Sequence, residues 1–256
     1  MSRIAPFGPE DLDRHGFLGG RISVWQPRGG YRSGADTVLL AAACPADPGQ
    51  RVLDLGCGAG VAAFCLAARV EGLALHGLEV QPAYADLARR NADALGMPMT
   101  VHDGDVAAPP GSLHPLSFDH VIANPPYYDE AASTPTGDSG KDRAFRAAIP
   151  VGPWIETGLR RLVSGGWLTM VHRTERLPAI LAALEGRAGS VAILPLASRA
   201  GRSADRVIVR ARKGAAGPLT LHAPFVMHDG ERHERDDDPL SDAAERVLRD
   251  GAALAF

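Results

Sequence analysis

The chain is nearly without lysine: Lys141 and Lys213 stand against 25 arginines. Any phosphate contact would therefore come from the planar, bidentate guanidinium rather than from a flexible ammonium. An overall positive charge is also missing. The formal net charge is −3, so the chain as a whole carries no electrostatic footprint for nucleic acid. Cysteine is scarce, at positions 44, 57 and 65 only. The number is odd, the spacing wide and no C-x-x-C pair occurs, which excludes a zinc ribbon and a disulfide framework. No apolar run approaches the ~20 residues that span a bilayer. The start, MSRIAPFGPEDLDR, lacks the apolar core of a signal peptide. His222, His228 and His233 have no partners at metal-ligand spacing, H-E-x-x-H does not occur, and G-x-S-x-G is absent. The expectation is a cytoplasmic protein with no membrane segment and no bound metal.

What is present is alternation. Strands are expected near residues 51–55, 73–79, 99–102, 118–123, 166–171, 190–195 and 205–212, and helices near 61–70, 82–95, 152–163 and 175–184. Strands that alternate with helices imply a mostly parallel sheet covered on both faces. Ahead of this lies a lead-in over 1–45. It holds a short strand pair near 16–25 and a helix over 36–44. The remainder, 46–256, reads as one α/β domain. Two segments resist assignment. Residues 129–150 carry little periodicity, and their length suggests a functional loop or a disordered insertion. The run 229–238 (DGERHERDDD) reads as a solvated charged loop.

The first chemical motif is Arg51-Val52-Leu53-Asp54-Leu55-Gly56-Cys57-Gly58-Ala59-Gly60. A strand ends, a glycine turn follows, and a helix begins, so a ligand can approach the backbone closely. The next strand ends in Glu79, 19 residues past Gly60, about where such a unit hydrogen-bonds ribose hydroxyls. The residue after Gly60 is Val61, so the dinucleotide pattern G-x-G-x-x-G is not met. D-L-G-C-G-A-G is instead similar to motif I of the class I S-adenosylmethionine (SAM)-dependent methyltransferases. That resemblance implies SAM as cofactor, held at Gly56, Gly58, Gly60 and Glu79. It puts an acid near the cofactor's adenine at Asp105, with Asp103 as the alternative. Asp54 orients either the glycine loop or the cofactor's amino group, or is purely structural.

The second motif is Asn124-Pro125-Pro126-Tyr127, directly after the apolar strand FDHVIA. Two prolines stop the strand and lock the backbone, fixing Asn124 at its C-terminal edge. An amide oxygen and the Pro125 carbonyl are two fixed acceptors, suited to an amino group with two hydrogens. Tyr127 can stack on the flat group that bears that nitrogen. The motif resembles the signature of methyltransferases that alkylate adenine N6, cytosine N4 or the glutamine side-chain amide. Asn124, Pro125, Pro126 and Tyr127 are the expected catalytic set.

The lead-in adds a third pattern, Gln26-Pro27-Arg28-Gly29-Gly30-Tyr31-Arg32-Ser33-Gly34-Ala35-Asp36-Thr37-Val38-Leu39-Leu40-Ala41. It resembles the start of the bacterial tRNA1(Val) adenine-N6 methyltransferase family, and the similarity runs over roughly residues 16–196. The resemblance implies a Rossmann-like class I methyltransferase fold, α/β, with a mostly parallel seven-stranded sheet. It also implies that Arg32, Ser33 and Asp36 close over the cofactor or line the mouth of the site, and that the partner is tRNA. Residues 160–213 hold eleven basic groups against three acids, a patch that could hold a phosphate backbone. Three other activities remain open: protein-glutamine N5 methylation of a release factor, guanine-N2 methylation of rRNA and, in a different class, a nucleotide-binding oxidoreductase.

Overall fold

The computed structural model describes residues 5–127, 150–230 and 239–256. The expectations for the 129–150 loop, up to residue 149, and for 231–238 lie outside these residues.

The lead-in opens with a hairpin of β1 (Leu12–Phe17) and β2 (Ile22–Pro27), paired antiparallel, and continues into α1 (Ala35–Ala43). Then β3 (Arg51–Leu55), α2 (Val61–Ala67), β4 (Ala74–Glu79), α3 (Pro82–Leu95) and β5 (Met99–Asp103) alternate. The second half supplies β6 (Phe118–Ala123), α4 (Val151–Arg161), β7 (Leu162–Arg173), α5 (Leu177–Leu184), β8 (Ala188–Ala197) and β9 (Arg206–Lys213). Local chemistry sets the boundaries. Pro82 opens α3 at its first turn, where the missing N–H costs little, and Gly96 ends it in the left-handed region at φ 61°.

The main sheet runs β5-β4-β3-β6-β7-β9-β8, with β9 antiparallel to both of its neighbours and the other pairs parallel. All seven expected strands are present. The sheet has nine strands rather than seven, because β10 (Thr220–Leu221) and β11 (Phe225–Val226) each add a two-residue parallel pairing to the outer edge of β8. Pieces this short carry no period-2 pattern to read from sequence.

The two faces have separate cores. One holds α1, α2 and α3 against the sheet through Leu39, Leu40, Val61, Phe64, Leu66 and Leu87. The other holds α4 and α5 through Trp154, Ile155, Leu159 and Ile180 on Leu53, Leu55, Phe118 and Val121. Burying each such side chain contributes about 1.5–3 kcal/mol. In the C-terminal stretch, α6 (Asp242–Leu248) contributes Val247, and Leu254 follows it into the first core. Ser241 caps α6 by accepting the Ala244 N–H at 3.1 Å.

In this strand order β4 and β5 lie on one side of β3, and β6 lies on the other. The order reverses between β3 and β6, and a crevice opens outside their carboxyl ends, where open α/β sheets bind ligands.

Candidate active site

The glycine loop leaves β3 into this crevice. Gly56 and Cys57 both donate to the Leu78 carbonyl, at 2.8 and 3.1 Å, which turns the loop toward the end of β4. Gly58 sits at φ 54°, a conformation that strains other residues. Its N–H donates to Glu79 Oε2 at 2.9 Å, and Gln81 N–H donates to Oε1 at 2.8 Å. Glu79 is buried, which pushes its carboxyl pKa up. The N–H groups of Gln81, Gly58 and Val80 pull it back, while Asp103 adds a small upward push. With three N–H donors on its two oxygens, the carboxylate keeps acceptor capacity for a further donor.

Asp54 lies beneath the loop, 3 % exposed. Burial raises its pKa to about 8, a backbone hydrogen bond from Ala63 opposes this, and the Glu79 charge adds to it. Its Oδ2 has no hydrogen-bond partner among the described residues. A buried carboxylate oxygen left open beside a glycine turn suits a ligand that brings a positive group. The donor set therefore fits SAM: a ribose acceptor at Glu79, an open backbone at Gly56 to Gly60, and an unsatisfied acid for an ammonium.

The two candidate adenine-side acids are distinguished by their contacts. Asp103 is exposed and ion-paired with Arg89 of α3. Asp105 is half-buried and, among the described residues, its side chain accepts the Ala107 N–H, at 2.8 Å, through Oδ1. The loop that holds it is tied to α4 by Thr157, whose hydroxyl donates to the Val106 carbonyl at 2.8 Å. Trp154, one turn earlier on α4, lies so near Gly56 that a Cβ there would meet its ring at 2.5 Å.

Across the crevice, β6 delivers Asn124. Its Nδ2 donates to the Tyr31 hydroxyl at 3.1 Å and to Thr37 Oγ1 at 3.5 Å. Its Oδ1 accepts the Tyr127 hydroxyl at 2.8 Å. Pro125 is buried and Pro126 exposed, the rigid corner between the two side chains. The Tyr127 hydroxyl also lies 3.1 Å from Asp36 Oδ2. Burial and the Asp36 charge push the Tyr127 phenol far above its ordinary pKa, so it stays protonated. His172 of β7 stands 5.3 Å from the Tyr127 ring. Burial and the nearby arginines 176, 206 and 173 lower its pKa to about 4, and its Nδ1 accepts the Arg173 N–H at 2.8 Å. It is therefore neutral at pH 7, with its proton on Nε2.

The lead-in joins the two halves. Gln26, 2 % exposed, holds Ser33 through N–H to Oε1 at 2.7 Å, and Tyr84 of α3 donates to the Tyr31 carbonyl at 3.0 Å. A Cβ on Gly58 would meet the Tyr31 ring at 3.8 Å. Tyr31 thus spans from the glycine loop to Asn124. Asn91 ties the hairpin down, exchanging hydrogen bonds with both backbone groups of Trp25 and donating to Ala59 O at 3.0 Å. Arg32 is exposed and makes no hydrogen bond among the described residues. Asp36 is engaged with Tyr127 and with Arg206 of β9, whose Nε lies at 3.3 Å.

Tyr31, Thr37 and His172 were not among the expected site residues, and Arg206 was expected only as a phosphate contact of the basic segment. Tyr31 and Thr37 sit inside the lead-in pattern. No motif places Arg206 and His172 in the crevice, because only the antiparallel pairing of β7 and β9 brings them there. The basic segment is mostly spent inside the fold. Arg161, Arg199, Arg210, Arg212 and Lys213 donate to backbone carbonyls of Leu113, Asp229, Ala43, Gly165 and Leu162 respectively. Arg199, a candidate phosphate contact, is only 6 % exposed. No helix among the described residues is long and apolar enough to cross a membrane. No group of three or more candidate metal ligands occurs among the same residues.

Comparison with known proteins agrees with this geometry. The Agrobacterium tumefaciens protein Atu636, described as a predicted O-methyltransferase, is 30% identical and superposes with a TM-score of 0.69, covering 86% of this chain and 99% of that one. The Thermus thermophilus 16S rRNA N2 G1207 methyltransferase, solved with SAM and guanosine, has the same fold at 20% identity and a TM-score of 0.55, over 79% of this chain and 50% of that one. Two relatives bear the name tRNA1(Val) (adenine(37)-N6)-methyltransferase. The one from Cronobacter sakazakii is 33% identical over 135 residues, 51% of this chain and 55% of its own length. The one from Actinobacillus succinogenes is 30% identical over 165 residues, 63% of this chain and 69% of its own length. The chain thus spans about half the length of the first and about two thirds of the second. The family model of the methyltransferase small domain matches residues 32–193, from the lead-in arginine through the glycine loop and Asn124 into β8. The chain belongs to that family, and it is a SAM-dependent methyltransferase with a class I fold.

Proposed function

We propose that the enzyme methylates the N6 amino group of an adenine in a tRNA anticodon loop, in the cytoplasm. The observation that carries this reading is the placement of the Asn124 amide at the end of β6, facing the glycine loop through Tyr31. The names of the tRNA-modifying relatives support the choice of substrate. The O-methyltransferase description of Atu636 points to a hydroxyl acceptor. Asn124 favours an amino group, since Oδ1 has a lone pair left to accept one of its hydrogens.

SAM, when bound, supplies an electrophilic methyl group. Glu79 holds its ribose, Asp54 or the backbone of Gly56 to Gly60 its amino acid end, and Asp105 its adenine. Arg32 and Asp36 sit at the mouth, with the 1–45 lead-in packed over the site. Asn124 Oδ1 and the Pro125 carbonyl accept the two amino hydrogens of the target and aim the nitrogen lone pair. Tyr127 stacks on a base flipped out of its loop. Alignment supplies most of the acceleration, and no covalent bond to the protein is required. Phosphate contacts fall to Arg28, Arg32 and Arg202, all exposed. Nucleoside mass spectrometry of unmodified tRNA transcripts after incubation with SAM tests the reading. N6-methyladenosine is expected, and its absence with transfer to a release-factor glutamine or to rRNA guanine overturns it.

A further inference from the structure

Arg206 is unexplained by the assignments above. It lies on β9, far in sequence from every motif, yet its guanidinium stands 4.8 Å from the centre of the Tyr127 ring. Its Nε donates to Asp36 Oδ2 at 3.3 Å, and Nη1 to the neighbouring Asp205 carboxylate at 3.1 Å. The Tyr127 hydroxyl lies within reach of that same Asp36 oxygen, at 3.1 Å, and of Asn124 Oδ1 at 2.8 Å.

A phenol has one hydrogen, and here two oxygens compete for it. A free carboxylate is the stronger acceptor, because its hydrogen bonds are charge-assisted. If the hydrogen went to Asp36, the phenol oxygen could only accept from Asn124. The amide would then turn to present its NH2 to Tyr127, and Oδ1 would face Tyr31 instead. A guanidinium on the same Asp36 oxygen draws off its charge and leaves Asn124 Oδ1 the better partner.

We propose that Arg206 is a positioning residue that sets the orientation of the Asn124 amide, acting through Asp36 and the Tyr127 hydroxyl. With Arg206 in place, Oδ1 is held on the Tyr127 side and Nδ2 on the Tyr31 and Thr37 side. The cation over the ring also keeps Tyr127 in one rotamer. The inference rests on Asn124 being the residue that meets the acceptor nitrogen. It assigns Arg206 to that residue, and not to an RNA phosphate.

The experiment is a double-mutant cycle of Arg206→Gln and Tyr127→Phe, read two ways. The first readout is methyl transfer from SAM to an unmodified tRNA transcript, with kcat and KM separated. Arg206→Gln should lower kcat about tenfold or more in the wild-type background and by less than about twofold when Tyr127 is already Phe. SAM affinity should be unchanged, and Arg206→Lys should restore part of kcat. The second readout needs no substrate. It is the side-chain amide NMR signal of Asn124 in the ligand-free protein, identified by its loss in Asn124→Ala. Arg206→Gln should shift it, and the shift should vanish in the Tyr127→Phe background. An equal loss in both backgrounds, or a loss confined to KM for tRNA, would overturn the proposal and return Arg206 to phosphate binding. So would an Asn124 signal indifferent to Arg206. Near wild-type turnover by Asn124→Ala would instead overturn the reading on which the proposal rests. If no tRNA accepts a methyl group, the substrate reading fails while the NMR cycle still decides the role of Arg206.

Discussion

Glu79 has two duties at the residue scale. Its carboxylate holds the glycine loop through Gly58 N–H and orders the start of α3 through Gln81 N–H. Both contacts exist before any ligand arrives, so the carboxylate proposed to hold the ribose is already oriented. Glu79→Ala should weaken SAM binding by about 1.5–3 kcal/mol, the worth of hydrogen bonds to a charged group. Calorimetry would check this, and an unchanged affinity would place the ribose elsewhere. Asp54 gives a pH dependence. Its native pKa of about 8 lies above the unfolded value, so the native state holds the proton more tightly. Its contribution to stability is complete below about pH 4 and is lost as pH rises through 8. Asp54→Asn should therefore raise the melting temperature of the ligand-free enzyme relative to wild type most at pH 8 and least at pH 4. A constant difference across that range would show that Asp54 is ionised throughout. That Asn124, Tyr127, Gly58 and Glu79 reach the crevice was legible in the sequence, the first three because each lies in a contiguous motif that encodes a turn, and Glu79 because it ends the strand after the glycine loop. Arg206 and His172 were not, because strand pairing between residues 172 and 207 places them. Sequence also left Asp103 and Asp105 open. The Arg89 ion pair on Asp103 is a tertiary contact that no spacing encodes, and it supports the proposal of Asp105.

Element by element, the alternating helices and strands were legible, and the edges of the molecule were not. Strands β3 to β9 follow from apolar runs bounded by glycine and proline. The lead-in hairpin, by contrast, extends to Leu12 and Pro27, beyond the expected 16–25, since cross-strand pairing continues past the residues with apolar character. Arg210 gathers in the last residues of the chain. Its guanidinium donates to the carbonyls of Ala43 and Phe256 and stacks over Trp167 and Phe256 at 5.3 and 4.4 Å. Arg210→Ala should remove these contacts together and cost about 1–3 kcal/mol, seen as a drop of several degrees in melting temperature. SAM affinity should stay within about twofold, because Arg210 reaches none of the glycine loop. A stability loss below about 0.5 kcal/mol would mean that the C-terminal stretch is not anchored this way.

For the whole molecule, the fold brings three separately encoded segments to one crevice. The glycine loop and Glu79 come from the first half of the sheet, Asn124 and Tyr127 from the strand across the switch point, and Tyr31 and Asp36 from the lead-in that bridges them. The local excess of basic residues overstates the charge free for a partner, since Arg161, Arg199, Arg210 and Arg212 of the 160–213 segment donate to backbone carbonyls within the fold. RNA binding should accordingly show a shallow salt dependence, set by the few exposed arginines, and not the steep slope of a large basic patch. A filter-binding series across ionic strength measures that slope, and a steep one would mean that many more phosphates are held. The account depends most on where the methyl group goes. Labelled SAM, an unmodified tRNA transcript and wild-type or Asn124→Ala enzyme, followed by nucleoside mass spectrometry, test this in one experiment. The account predicts N6-methyladenosine with wild type, and none with Asn124→Ala despite SAM affinity within a few fold. Label on a guanine or a protein glutamine, or undiminished transfer by Asn124→Ala, would contradict it.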